Sequence, residues 1–170
     1  MTDSPMKSLI LDACVLIDYL KTDRLVLKLF AVYIAPVYVI SPVIREINQI
    51  ESSYELIELG LSIDEPELDD VFLASNEKGP NSFQDLLCLY TAKRNGYICV
   101  TNDKNLRRRC REEGVSILWG LELQIDLYRT NGISRKDAEK TAQMIRESNP
   151  KHITRKIIET FFEKIKQSST

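Results

Sequence analysis

The sequence predicts an α/β fold: a central parallel sheet of about five strands covered by helices, with a helical extension at its C-terminal end. Two observations carry this. Up to residue 118, short apolar runs rich in β-branched residues alternate with segments of helical periodicity, which is the pattern of a parallel sheet with crossover helices. From residue 121 onward only the helical period remains. The expected organisation is one α/β domain over residues 1–120 and a helical extension over 121–170 packed on it.

The elements follow in order. Residues 8–11 form a short apolar strand that stops at Asp12. Val15, Leu16, Tyr19 and Leu20 then fall on one face of a helix. Residues 25–30 read as a second short helix, and Val37, Tyr38, Val39 and Ile40 as a second strand. Ser41 followed by Pro42 marks a helix start, the serine as N-cap and the proline in the first turn. The stripe Val43, Glu46, Ile47 and Ile50 carries that helix forward.

Gly60 breaks the helical signal, and Leu61, Ser62 and Ile63 give a weak third strand. Residues 67–77 read as a helix ended by Lys78, Gly79 and Pro80. Asn81 or Ser82 caps a longer helix reaching Arg94, closed by Asn95 and Gly96. Residues 97–101 are a buried strand, 104–113 a helix stopped by Gly114, and 115–118 the last strand. In the extension, 121–129 is a helix closed by Asn131 and Gly132. Ser134 and Asp137 have capping-box spacing ahead of Ala138, Ala142 and Ile145. Asn149 and Pro150 break the chain before an amphipathic helix carrying Ile153, Ile157, Ile158, Phe161, Phe162 and Ile165.

Composition bounds the function. A chain of 170 residues buries roughly 70% of the surface its unfolded form exposes, enough for a core without disulfides. The net charge of −2 excludes binding nucleic acid through a wholly basic surface, so any such contact needs a local patch. Arg107, Arg108, Arg109 and Arg111 form the densest one, with Lys93 and Arg94 a smaller pair. Cys14, Cys88, Cys99 and Cys110 form no C-x-x-C pair and have no histidine near them, which argues against zinc and for reduced thiols in the core. The polar start and the lack of a long apolar run indicate no signal peptide and no membrane span, so the cytoplasm is the expected location.

The placement of four acids is the functional signal. Asp12 ends the first strand, and Asp103 follows the fourth by two residues. In open parallel sheets, ligands bind outside the carboxyl ends of the strands. Glu46 and Asp85 border the inward stripes of two helices, and both are read as lying one turn from a helix N-terminus, where the dipole favours a carboxylate. Two like charges about 5 Å apart repel by roughly 3 kcal/mol at an effective dielectric near 20. Four converging acids must therefore protonate or hold a cation. An all-oxygen set without histidine or thiolate suits Mg²⁺ or Mn²⁺, which activates water and offsets charge developing on a phosphodiester.

Other chemistries lack their parts. The single histidine, His152, lies in the helical tail, so no Ser-His-Asp or Cys-His arrangement forms at the sheet edge. The six glycines are scattered and make no phosphate loop.

In order and spacing these segments resemble the motifs of PIN-domain nucleases. Leu9-Ile10-Leu11-Asp12-Ala13-Cys14-Val15-Leu16-Ile17 is similar to their opening strand and helix. Ser41-Pro42-Val43-Ile44-Arg45-Glu46-Ile47 is similar to the second acidic motif, and Ser82-Phe83-Gln84-Asp85 to the third. Thr101-Asn102-Asp103-Lys104-Asn105-Leu106 is similar to the fourth, the whole covering about residues 8–120. The resemblance implies a PIN-like three-layer α/β/α fold, Mg²⁺ or Mn²⁺ held by Asp12, Glu46, Asp85 and Asp103, and cleavage of single-stranded RNA. Thr101 and Asn105 are polar neighbours to the ligands. In the arginine cluster, Arg107, Arg108 and Arg111 are candidates for holding the RNA backbone, with a solvated helix face as the equal alternative. Many small members are VapC-type toxins, neutralised by an antitoxin and often homodimeric. Ala13 and Cys14 replace the hydroxyl and amide residues common in the family, and Asn105 stands where many members have a further acid. These departures favour an alternative: a catalytically weak PIN-like interaction module working through its helical tail.

Overall fold

The computed structural model describes residues 7–168. The polar start at residues 1–5, read as carrying no signal peptide, lies outside them. Along the chain the elements are β1 (Leu9–Leu11), α1 (Ala13–Thr22), α2 (Leu25–Tyr33), β2 (Val37–Ile40) and α3 (Ser41–Glu46). There follow α4 (Ser53–Glu58), β3 (Leu61–Asp64), α5 (Leu68–Asn76), α6 (Phe83–Asn95), β4 (Ile98–Val100), α7 (Lys104–Glu112) and β5 (Ile117–Leu118). Three helices complete the chain: α8 (Glu122–Arg129), α9 (Arg135–Ser148) and α10 (Arg155–Gln167).

The five strands form one parallel sheet in the order β3-β2-β1-β4-β5, flanked by helices in three layers. Leu9 lies between Val37 on one side and Ile98 on the other. With helices over both faces, all three residues of β1 are buried, so the strand reads as a continuous apolar run rather than an alternation. The ladder continues past the strand ends: the Asp12 N–H donates to Val100 O at 3.2 Å and the Thr101 N–H to Leu118 O at 3.0 Å. Those bonds align the residues that follow β1, β4 and β5 along a single edge.

The helix from Ser41 is shorter than its apolar stripe suggests. Ile40 is the N-cap residue, and the Ser41 hydroxyl donates instead to Glu65 at 2.6 Å. Glu46 is the last helical residue, because Ile47 is extended and buries its side chain in the core from that backbone. Tertiary burial overrides helical periodicity here, and the chain resumes helix only at α4.

The extension packs on the sheet domain. α9 lies against α1, α8 against α2, and α10 against α8 and α9. Ala138, Ala142 and Ile145 on α9, and Ile158, Phe161 and Ile165 on α10, are the buried faces of the expected stripes. Cys88, Cys99 and Cys110 are buried and Cys14 is half-buried, all four as free thiols. No helix among the described residues is long and apolar enough to cross a membrane.

Candidate functional site

Asp12 leaves β1 directly and caps α1. Its backbone is extended, and its Oδ1 accepts from the Val15 N–H at 2.8 Å. Asp103 caps α7 in the same way, accepting from the Leu106 N–H at 2.8 Å. Because β1 and β4 are neighbours, these two strand-to-helix turns lie side by side at the carboxyl edge of the sheet. Asp85 closes a capping box: the Ser82 N–H donates to its carboxylate at 3.2 Å, while the Asp85 N–H donates to the Ser82 hydroxyl at 3.1 Å.

The acids act on one another. The pKa of Asp12 is raised to about 7: burial is the largest influence, the Thr101 hydroxyl and the Val15 N–H oppose the rise, and Asp85 and Asp103 add to it. Burial also raises the pKa of Asp85, with Asp103 adding to it. Glu46 is raised by partial desolvation and then by Asp85. Asp12, Asp85 and Asp103 thus lie within electrostatic reach of one another, whereas Glu46 is coupled to the group only through Asp85. Glu46 is exposed and lies in the last turn of α3, not the first. There the helix dipole opposes a carboxylate rather than favouring it.

As the side chains stand, no group of three or more His, Cys, Asp or Glu among the described residues is gathered closely enough to hold a metal ion. Each aspartate turns one oxygen onto a backbone N–H at a helix start. The donors nevertheless suit a hard divalent cation. Asp12 is 1% exposed, and its second oxygen, Oδ2, is buried without a hydrogen-bond partner. A buried carboxylate oxygen without a hydrogen-bond partner is costly. With carboxylates as the surrounding charges, the donors are of the all-oxygen kind that hard divalent cations take.

A layer of polar groups fixes these turns. Thr101 is fully buried; its Oγ1 accepts from the Asp103 N–H at 3.0 Å, and its hydroxyl also lowers the pKa of Asp12. Asn102 ties three segments together: its Oδ1 accepts from the Gly120 N–H at 2.9 Å, its Nδ2 donates to Asp18 at 3.3 Å, and its carbonyl accepts from Arg107 at 2.6 Å. Asn105 is half-buried in the first turn of α7. Composition and motif spacing do not single out Asp18, Asn102 or Asn149. Asp18 is 4% exposed and receives the Asn149 amide at 3.0 and 3.2 Å. One signal is present: position 18 falls on the same helical face as the buried Val15.

The arginine patch splits. Arg108 and Arg111 are exposed. Arg109 is held by Glu77, Glu112 and Glu113. Arg107, expected to face an RNA backbone, is 7% exposed; besides its bond to Asn102, its guanidinium lies 3.4 Å from the centre of the Trp119 ring. A side chain held in this way positions the Asn102–Asp103 turn. The Lys93 and Arg94 pair is likewise engaged, with Glu113 and with Glu67 and Asp70.

No family model matches the chain, and no curated protein matches it. Among solved structures it is similar to a PilT N-terminus domain protein from the hyperthermophilic archaeon Sulfolobus solfataricus P2. The two share 10% identity with a TM-score of 0.50, over 68% of this chain and 89% of the other. At that identity the likeness is one of fold, and together with the five-stranded parallel sheet it gives the chain a PIN-like α/β/α architecture.

Proposed function

We propose that this protein is a metal-dependent endoribonuclease that cleaves single-stranded RNA at the carboxyl edge of its sheet. The observation that carries the reading is Asp12: a carboxylate buried at a strand end, one oxygen unpartnered, under the influence of Asp85 and Asp103. Asp12, Asp85 and Asp103 would hold Mg²⁺ or Mn²⁺, with Glu46 at the open side. When bound, the ion supplies Lewis acidity, activating water and offsetting charge on the phosphodiester.

The chain's own residues prepare the site. Val15, Leu106 and Ser82 present backbone N–H groups that hold one oxygen of each aspartate and so orient the other. Thr101 fixes the Asp103 turn by accepting from the Asp103 N–H. Glu46 is exposed, which suits a group exchanging protons with solvent beside the substrate. Arg108 and Arg111 offer exposed cations for the RNA backbone. The same reading brings a cytoplasmic setting, a second copy of the chain and, for a toxin of a toxin–antitoxin pair, an antitoxin as partners.

Incubation of a labelled single-stranded RNA with Mn²⁺ tests this. Cleavage is expected from the wild type and at least a hundredfold less from Asp12→Asn and Asp103→Asn, the scale on which charge-stabilising groups count. Cleavage that survives both substitutions removes the proposed site.

A second reading rests on a specific observation: the three aspartates cap backbone amides, a structural role that needs no ion. In that reading the chain is a PIN-like interaction module working through α8, α9 and α10. An intact fold that neither binds Mn²⁺ nor cleaves RNA favours it.

A further inference from the structure

Trp119 follows β5 directly and therefore lies on the same edge as Asp12 and Asp103, one strand beyond β4. Adjacent strands are about 5 Å apart, so the Trp119 backbone lies close to the turn that carries Asp103. One face of the indole is covered by Arg107, which also holds the Asn102 carbonyl. The same ring lines a largely apolar cavity of about 370 Å³ between the end of β5, α8 and α10. Ile157 and Phe161 line it as well, with Lys156 and Lys164 at its border. Lys164 is paired with Glu122 at 3.1 Å, and among the described residues Lys156 has no ion pair.

We propose that this cavity binds one unpaired base of the RNA strand whose backbone passes the acidic edge, the base against Trp119 and an adjoining phosphate against Lys156. The inference deepens the nuclease reading and rests on it for the identity of the ligand. Three features favour a nucleotide over an apolar helix. The aromatic ring is held flat by a guanidinium, as a stacking platform requires. The free charge at the border is positive. Arg107 joins the platform physically to the turn that carries Asp103. The volume lies in the range of small-molecule sites and suits a single base. The helical tail thereby gains a role: α10 supplies the outer wall of a substrate subsite.

Trp119 is the sole tryptophan, so its emission reports on the cavity without labelling. The experiment titrates a hexamer of uridines into the full chain in EDTA, where nothing is cleaved. Saturable quenching of Trp119 is expected, weakened at least tenfold in the double variant Lys156→Glu, Thr160→Glu. Both positions are exposed on α10, so the variant should melt as the wild type does. Fluorescence anisotropy of labelled RNA with Trp119→Leu provides a second measurement, with weakening of about tenfold expected for a lost stack. Quenching that is absent, or unchanged in the double variant, overturns the inference. If RNA is cleaved while Trp119 stays silent, the cavity fails and the nuclease stands. If Trp119 responds as described and no RNA is ever cleaved, the nuclease reading fails and the cavity stands. Silence toward RNA with a wild-type dimer that the double variant turns into a monomer assigns the cavity to a second copy, which also overturns the inference.

Discussion

The side-chain amide of Asn149, in the turn between α9 and α10, donates to both carboxylate oxygens of Asp18 on α1, at 3.0 and 3.2 Å. The two residues are 131 positions apart. The same amide lies 3.7 Å from the Cys14 sulfur. Asn102 approaches Asp18 from the sheet side, so one buried carboxylate joins the helical tail to the residue preceding Asp103. The tail is therefore anchored beside the candidate site by polar bonds, in addition to the apolar packing of α9 on α1.

Asn149→Ala removes two hydrogen bonds to a buried carboxylate. The expected loss is about 2–3 kcal/mol, or about 4–12 °C in melting temperature for a chain of this size. Thermal unfolding followed by circular dichroism measures it. A melt unchanged from wild type means that the tail does not depend on this anchor.

A methyl group at Gly120 would stand 3.0 and 3.2 Å from the side-chain amide of Asn102 and 3.2 Å from Val15. Gly120 is also bound at both ends, its N–H by Asn102 and its carbonyl by the Tyr19 hydroxyl at 2.5 Å. Gly120→Ala is expected to cost about 1–3 kcal/mol as an overpacking change. It should also weaken Mn²⁺ binding, because Asn102 cannot shift without moving the Asp103 turn. Calorimetry beside a thermal melt separates the two effects, and a variant with wild-type ion affinity contradicts the coupling.

Asp12 contributes to the pH dependence of the ion-free protein, beside Asp18 and Asp85, whose pKa values burial also raises. The folded pKa of Asp12 is about 7, against an ordinary 3.8. The folded chain holds that proton where the unfolded chain has already lost it. The associated stability is therefore full below pH about 4 and is lost as pH rises to about 7, by up to about 1.4 kcal/mol per unit. Asp12→Asn should flatten this slope and raise the ion-free melting temperature at pH 8. Mn²⁺ competes with the proton, so its stabilising effect on the wild type should be larger at pH 8 than at pH 6. A melting temperature equal at pH 5 and pH 8 without metal, in wild type and variant alike, contradicts the burial of an ionisable Asp12.

Arg108→Glu with Arg111→Glu should weaken single-stranded RNA binding and flatten its salt dependence, by about 0.7 in slope for each phosphate no longer neutralised. Arg109→Ala should instead lower stability, since its guanidinium joins Glu77, Glu112 and Glu113, and leave the salt slope as it was. Binding isotherms at several salt concentrations distinguish the two. An equal effect from Arg109→Ala contradicts the division of the patch.

Strands ending at Asp12 and just before Asp103 are legible in the sequence because a buried parallel strand is a short run of β-branched and aliphatic residues with a turn at its end. The helix start at Asn81 or Ser82, which the structure resolves to a capping box of Ser82 and Asp85, and the Gly96 stop are legible for the same local reason. The extent of α3 is not legible: Val43, Ile47 and Ile50 keep helical spacing, and only the tertiary core decides that Ile47 leaves the helix. That misplaces Glu46 relative to the helix dipole. Arg107 illustrates the other limit. On sequence it is one of four arginines in five residues, and nothing local shows that Trp119 will cover it. Asn149 likewise reads as a break before proline, and its bond to Asp18 exists only once α9 has folded back along α1.

The nuclease reading requires that Asp12, Asp85 and Asp103 share one divalent ion. Calorimetric titration of Mn²⁺ into the full chain at pH 8 probes that sharing without any substrate, with Asp12→Asn and the capping-neutral Glu46→Gln alongside. Saturable binding is expected from the wild type, none from Asp12→Asn, and weaker binding from Glu46→Gln. A folded wild type that takes up no Mn²⁺ at millimolar concentration, or an Asp12→Asn variant that binds as tightly as wild type, contradicts it.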